Sequence, residues 1–258
     1  MIRTSHFHTC EDCPGDGFLL CEACRSALFP SDEDDRLFRT QLAEEDTEII
    51  YGEQWWTFLS CPAEKNYTVF TKPQAHIDIV VIAVDGACRN NGKPHAKASY
   101  GVFFHCNNYG WNQQKTLSDD VKTNQQAELR AGLAGLQSAK KLRLLNTELC
   151  GKPRPQGPMR KLSRVVIKTD SAYLVNAMTN WVFKWRNNDY TNSHGRPVTN
   201  ASLFRQLEAE LKELFDLNVH VQFWHVRREQ NREADLLANA ALDGKMAWEA
   251  LTAFSSDE

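Results

Sequence analysis

Four acidic residues are set far apart along this 258-residue chain: Asp85, Glu128, Asp170 and Asp235. Asp85 and Asp170 each close an apolar run rich in β-branched residues, the first over 77–84 and the second beginning at Val165, Val166 and Ile167. Glu128 and Asp235 each fall in the first turns of a helical pattern. In α/β sheets ligands bind at the carboxyl ends of parallel strands, and the start of a helix tolerates negative charge. The four can therefore converge. Two carboxylates about 4 Å apart repel by roughly 4 kcal/mol at an effective dielectric of 20, so four together call for protons or cations. Hard oxygen ligands suit Mg2+ or Mn2+. Two such ions, about 4 Å apart, serve in-line displacement at phosphorus. Taken singly, each acid reads as a surface carboxylate or a helix cap; two strand-terminal acids in one sheet weaken that reading.

The elements that must place these acids are legible in outline. After the run at 77–84 come Asp85-Gly86, then two strands at 100–105 and 111–117, joined by the turn-forming Asn107, Asn108 and Gly110. Thr123 is the expected N-cap of a helix to about Leu145, with Leu129, Leu133 and Leu136 as its apolar stripe. Gly132 and Gly135 follow Glu128 at i+4 and i+7 and keep that face narrow. Residues 146–163 hold three prolines and two glycines and read as a loop. Ser171 caps the helix after Asp170, 220–226 is a fifth strand, and 231–242 a final helix with Ala234, Leu237, Ala238 and Ala241 on one face. The pattern predicts an α/β fold, a five-stranded mixed sheet flanked by helices.

The net charge of −3 hides an asymmetry. Residues 1–75 hold 6 Lys/Arg and 14 Asp/Glu, against 24 and 19 in the rest. The later part suits a polyanion. No apolar run reaches the length of a membrane span, and Met1 to Cys10 lack a secretory signal's apolar stretch, so a nuclear or cytoplasmic protein without membrane contact is expected.

Four of the eight cysteines, Cys10, Cys13, Cys21 and Cys24, fall within fifteen residues. Two CxxC pairs have zinc-ligand spacing, and a small N-terminal zinc-binding module is expected over 1–28. His6 or His8 can replace one cysteine; free thiols or redox use are the alternatives. A segment this short cannot build its own core, so Zn2+ supplies its folding energy. Residues 29–75 read as an acidic linker, in which Trp55, Trp56 and Phe58 either dock onto the main domain or form a partner-binding patch. The acidic flank favours a protein partner for the module over nucleic acid. Residues 244–258 are a C-terminal tail.

Four segments closely resemble, in order, the motifs of type 1 ribonuclease H: Val84-Asp85-Gly86-Ala87, Thr123 to Glu128, Thr169-Asp170-Ser171 and Asn231 to Asp235. The resemblance covers 76–243. It implies a ribonuclease H-like fold and endonucleolytic hydrolysis of the RNA strand of RNA–DNA hybrids, leaving 3′-hydroxyl and 5′-phosphate ends. It also implies two Mg2+ or Mn2+ ions per active site, Asp85 bridging both, Glu128 and Asp170 holding one and Asp235 the other. A monomer is expected.

Between Trp181 and Asn200, Lys184 and Arg186 stand beside Trp181, Trp185 and Tyr190. Cations among aromatics suit a sugar–phosphate backbone, although Trp181 reads equally as core. The stretch resembles the basic protrusion with which relatives grip the DNA strand, and places Trp185 against it. Thr123 and Asn200 match a DNA-phosphate pocket whose arginine is replaced near Val121. Asn124 and Gln125 match readers of the minor groove and 2′-hydroxyl; Cys88 and Asn91 match groove contacts, with Cys88 equally readable as a small buried residue. Many relatives carry a catalytic histidine on a mobile loop before the last acid. Here 226–235 is about four residues shorter and lacks it; Glu229 falls near its place, and His225 matches a strand residue. The alternatives are a catalytically quiet nucleic-acid-binding or assembly module of the same fold, and a segment of a retroelement polyprotein.

Overall fold

The structure is a computed structural model that describes residues 39–41, 49–51, 57–60, 75–106, 108, 110–145, 162–192, 194–247, 249 and 251. The four-cysteine module lies outside the described residues. Within the stretch read as linker, three short strands are described: β1 (Arg39–Gln41), β2 (Ile49–Tyr51) and β3 (Thr57–Ser60). The expected five-stranded sheet follows: β4 (Ala75–Arg89), β5 (Lys97–Phe103), β6 (Gln113–Thr116), β7 (Arg164–Thr169) and β8 (His220–His225). β4, β7 and β8 run parallel, while β5 and β6 extend the sheet antiparallel from β4. β1 adds in parallel to β8, and β2 and β3 add through the first half of β4. Thr57 Oγ1 donates to Phe104 O at 2.5 Å, tying β3 to the chain just after β5.

β4 does not stop at Asp85. Its parallel pairing to β7 ends at Ala83, but the antiparallel ladder with β5 carries it on to Arg89. Asp85 is thus an interior residue of a 15-residue strand, not its end. The apolar run alone marks only the part covered on both faces; Gly86 to Arg89 are held by β5.

Helix α1 (Asn124–Leu144) begins as expected at Thr123, whose side chain accepts from the Gln126 N–H while Gln126 answers to the cap's backbone. This reciprocal cap satisfies two N–H groups that a helix start leaves unpaired. A broken helix follows β7: α2 (Ala172–Asn176), one π-helical turn (Ala177–Trp181) and α3 (Val182–Asn187). Then come α4 (Ala201–Asp216), a 3-10 turn (Arg228–Gln230) and α5 (Arg232–Asp243).

Alternation along β4 sorts the layers. Val80, Ile82 and Val84 face a core with α1, α2 and α4, including Leu129, Leu136, Leu174 and Phe204. Ala83 faces the other side, against Phe103 and the α5 residues Ala234 and Leu237. Leu251, from the expected tail, is buried in that second cluster. Among the described residues no helix is long and apolar enough to cross a membrane.

Candidate active site

Strand register brings the first pair of acids together. Ala83 lies opposite Lys168 in the β4–β7 ladder, so the same register sets Asp85 level with Asp170 at the exit of β7. Asp85 shares the face of Ala83, the face covered by α5, and α5 carries Asp235 in its first turn. Glu128 arrives from the opposite layer through Gly86. A Cβ there would stand 2.2 Å from both Ala127 C and Glu128 N, so only glycine lets α1 lie this close to the strand. Gly135, whose added Cβ would meet Val84 Cγ1 at 2.8 Å, keeps the helix close two turns further on.

Each of the other three carboxylates is held by a specific donor. Glu128 accepts from Ser171 Oγ at 2.5 Å and from Asn124 Nδ2 at 2.7 Å. The Ser171 hydroxyl also accepts from Leu174 N–H at 3.1 Å, so it caps α2 and steadies Glu128 at once. Asp170 Oδ1 accepts from Asn231 Nδ2, and Asp235 Oδ1 pairs with Arg228 at 2.9 Å. Held this way, the acids are neighbours without closing into one ligand sphere: among the described residues no three His, Cys, Asp or Glu side chains form a metal cluster.

Their mutual field is nevertheless strong. Burial, then the charges of Asp170 and Asp235, push the Asp85 carboxyl up to about 8, with Glu128 adding to the rise and the Gly86 backbone N–H opposing it. Burial first, and then Asp170, also raise Glu128 against its two hydrogen bonds. A carboxyl that holds its proton this high is short of positive charge. Asn231 adds a second sign: its Oδ1 is buried without a hydrogen-bond partner among the described residues, while its Nδ2 is used twice. The donor set of four carboxylates fits hard divalent cations.

The turn before α5 is anchored from the sheet. Lys168, 3% exposed, donates from Nζ to Gln230 O at 2.7 Å; burial lowers its pKa, opposed by Glu233. Glu229 is exposed on this turn and His225 closes β8.

The RNase H family profile matches residues 78–243. The chain belongs to the RNase H family. Mouse Ribonuclease H1 is 29% identical over 168 residues, 62% of this chain and 48% of that protein. Ribonuclease H of Coxiella burnetii is 31% identical over 173 residues, 64% of this chain and 91% of that protein. The chain spans about half the length of the rodent proteins it matches. A crystal structure of RNase H1 from the archaeon Halobacterium salinarum aligns at 23% identity and a TM-score of 0.38, over 64% of this chain and 98% of that one. That superposition is too loose to bear on site geometry.

The residues expected to contact a hybrid in this RNase H domain form two groups. Asn91 Oδ1 accepts from Asn124 N–H at 3.0 Å, so the loop after β4 is tied to the start of α1. Gln125 is exposed beside them, Thr123 serves as the cap, and Cys88 is half-buried against the small cluster of Ala98, Val121 and Ala127. In the second group Trp185 is half-buried, its ring 5.0 Å from Phe204, 5.8 Å from Trp181 and 6.3 Å from Tyr190. Trp181, also readable as core, is 38% exposed. Arg186 pairs with Glu208 at 2.7 Å, Tyr190 Oη hydrogen-bonds the same carboxylate, and Lys184 is exposed. Asn200 adopts φ 64° before α4, and its Nδ2 donates to Tyr173 Oη at 3.4 Å. Sequence reading missed the roles of Ser171, Asn231, Arg228 and Lys168 around the acids. Ser171 and Asn231 lay inside the quoted motifs, but their tertiary partners leave no local pattern.

Proposed function

We propose that this chain is a metal-dependent ribonuclease H that hydrolyses the RNA strand of RNA–DNA hybrids, leaving 3′-hydroxyl and 5′-phosphate ends. The observation that carries the reading is Asp85, buried and raised to about 8 beside Asp170 and Asp235. When bound, a pair of Mg2+ or Mn2+ ions supplies the charge neutralisation and Lewis acidity that displacement at phosphorus requires. Asp85, Glu128, Asp170 and Asp235 would hold them. Asp85 must release its proton to act as a ligand, so loading is coupled to deprotonation. Ser171 and Asn124 fix both oxygens of Glu128, and Asn231 fixes Asp170, so these two acids are oriented before substrate arrives.

Asn91, Asn124, Gln125 and Cys88 stand near the start of α1, where a minor groove and its 2′-hydroxyl would be read. Lys184, Arg186 and Trp185, with Thr123 and Asn200, are the proposed contacts to the DNA strand. Cys10, Cys13, Cys21 and Cys24 are proposed to hold one structural Zn2+ and to present a surface to a protein partner. Finding no zinc in the native protein rejects the zinc assignment; zinc lost on Cys10→Ser and Cys24→Ser supports it.

The deciding experiment is cleavage of a labelled RNA–DNA hybrid in Mg2+ by the wild type and by Asp170→Asn, with double-stranded DNA as control. Cleavage of the RNA strand that disappears in Asp170→Asn is expected. No cleavage by the wild type in either Mg2+ or Mn2+ selects the catalytically quiet module instead.

A further inference from the structure

The turn between β8 and α5 combines a fixed backbone with a loose side chain. Buried Lys168 holds the Gln230 carbonyl, Gln230 Oε1 accepts from Arg227 N–H at 3.2 Å, and Asn231, 1% exposed, donates its N–H to Arg228 O at 3.0 Å. The Arg228 side chain itself is 74% exposed and ends 2.9 Å from Asp235 Oδ1. Asp235 faces it first, with Asp170 and Asp85 behind. A positive charge therefore already stands where the acids lack one, and it occupies an oxygen that a metal would use.

We propose that Arg228 is a resident counter-cation that competes with divalent metal for Asp235, and so sets the metal concentration at which the site loads. This rests on reading the four acids as the metal seat. Exposed ion pairs are weak, so the guanidinium neutralises Asp235 in the metal-free protein and yields to an ion of twice its charge. The turn's backbone need not move, because it is anchored by Lys168 and Asn231 while only the arginine side chain swings.

The test is Mn2+ binding to the full chain by titration calorimetry without nucleic acid, comparing the wild type with Arg228→Ala, Arg228→Gln and Arg228→Lys. Arg228→Ala and Arg228→Gln are expected to bind Mn2+ about two- to fivefold more tightly. Arg228→Lys, which keeps the charge, is expected to stay near the wild type. The gap should narrow in 1 M salt, where the Debye length falls to about 3 Å. Equal Mn2+ affinity in the wild type and both neutral variants overturns the competition and leaves the four-acid seat standing. No Mn2+ binding by any of these proteins overturns the seat itself, and the competition with it.

Discussion

Asn231 donates its side-chain amide to Asp170 Oδ1 at 3.1 Å and to Val84 O at 3.1 Å, so one residue ties the exit of β7 to β4 just past the point where the two strands stop pairing. Its backbone carbonyl also accepts the Asp235 N–H at 3.1 Å. Three of the four acids thus take their spacing from a single buried asparagine.

Asn231→Ala removes the donor from a buried carbonyl and is expected to cost about 1–3 kcal/mol in urea unfolding. Hybrid cleavage should fall about 10- to 100-fold, the range for partners of metal ligands. Asn231→Asp should do no better despite its shape, because an ionised carboxylate donates nothing and repels Asp170. Wild-type turnover in Asn231→Asp rejects the positioning role.

The raised Asp85 makes the metal-free protein sensitive to alkali. The folded form keeps a proton up to about pH 8, whereas an unfolded Asp loses it near 4. Between these values the native state binds more protons than the unfolded one, so stability falls as pH rises. With chelator present, melting temperature should decline from pH 5 to pH 8, and Asp85→Asn should flatten that decline. Glu128, also raised, acts with the same sign. A melting temperature that rises across this window contradicts the protonated Asp85.

Gly86→Ala places a methyl 2.2 Å from the backbone of Ala127 and Glu128. Helix α1 must move, at roughly 1–3 kcal/mol, and Glu128 moves with it. Turnover is expected to drop further than hybrid affinity does; equal losses in both would place the damage elsewhere.

The aromatic cluster predicts a division of labour. Trp185→Ala should destabilise by about 2–3 kcal/mol, below the 3–5 kcal/mol of a fully buried ring, because it packs on Phe204. Lys184→Ala should leave the melting temperature unchanged, weaken hybrid binding evenly across sequences, and lower the salt slope by about 1.

The sequence made the four acids and their order visible because each sits on a locally patterned element. Thr123 announced α1 in the same way. Asp85 looked strand-terminal because apolarity fades there, although β5 pairing continues the strand. Arg228 and Lys168 carried no signal: their partners, Asp235 and Gln230, are recognised only once the turn is folded. Trp181 and Trp185 could not be ranked by exposure, since the π turn between α2 and α3 resets which side of the helix each one shows. The strands β1 to β3 fall in an acidic, aperiodic stretch where three- or four-residue pairings leave no readable alternation.

The continuation of β4 past Asp85 has a mechanical meaning. A residue set inside the β5 ladder, with strand continuing beyond it to Arg89, yields little, so Asp85 is the anvil of the site. Accommodation to a helical substrate must come from the hammers around it: the first turn of α1, the Arg228 turn and the start of α5. Amide exchange should follow the same division, slowest beside Asp85 and faster at those three.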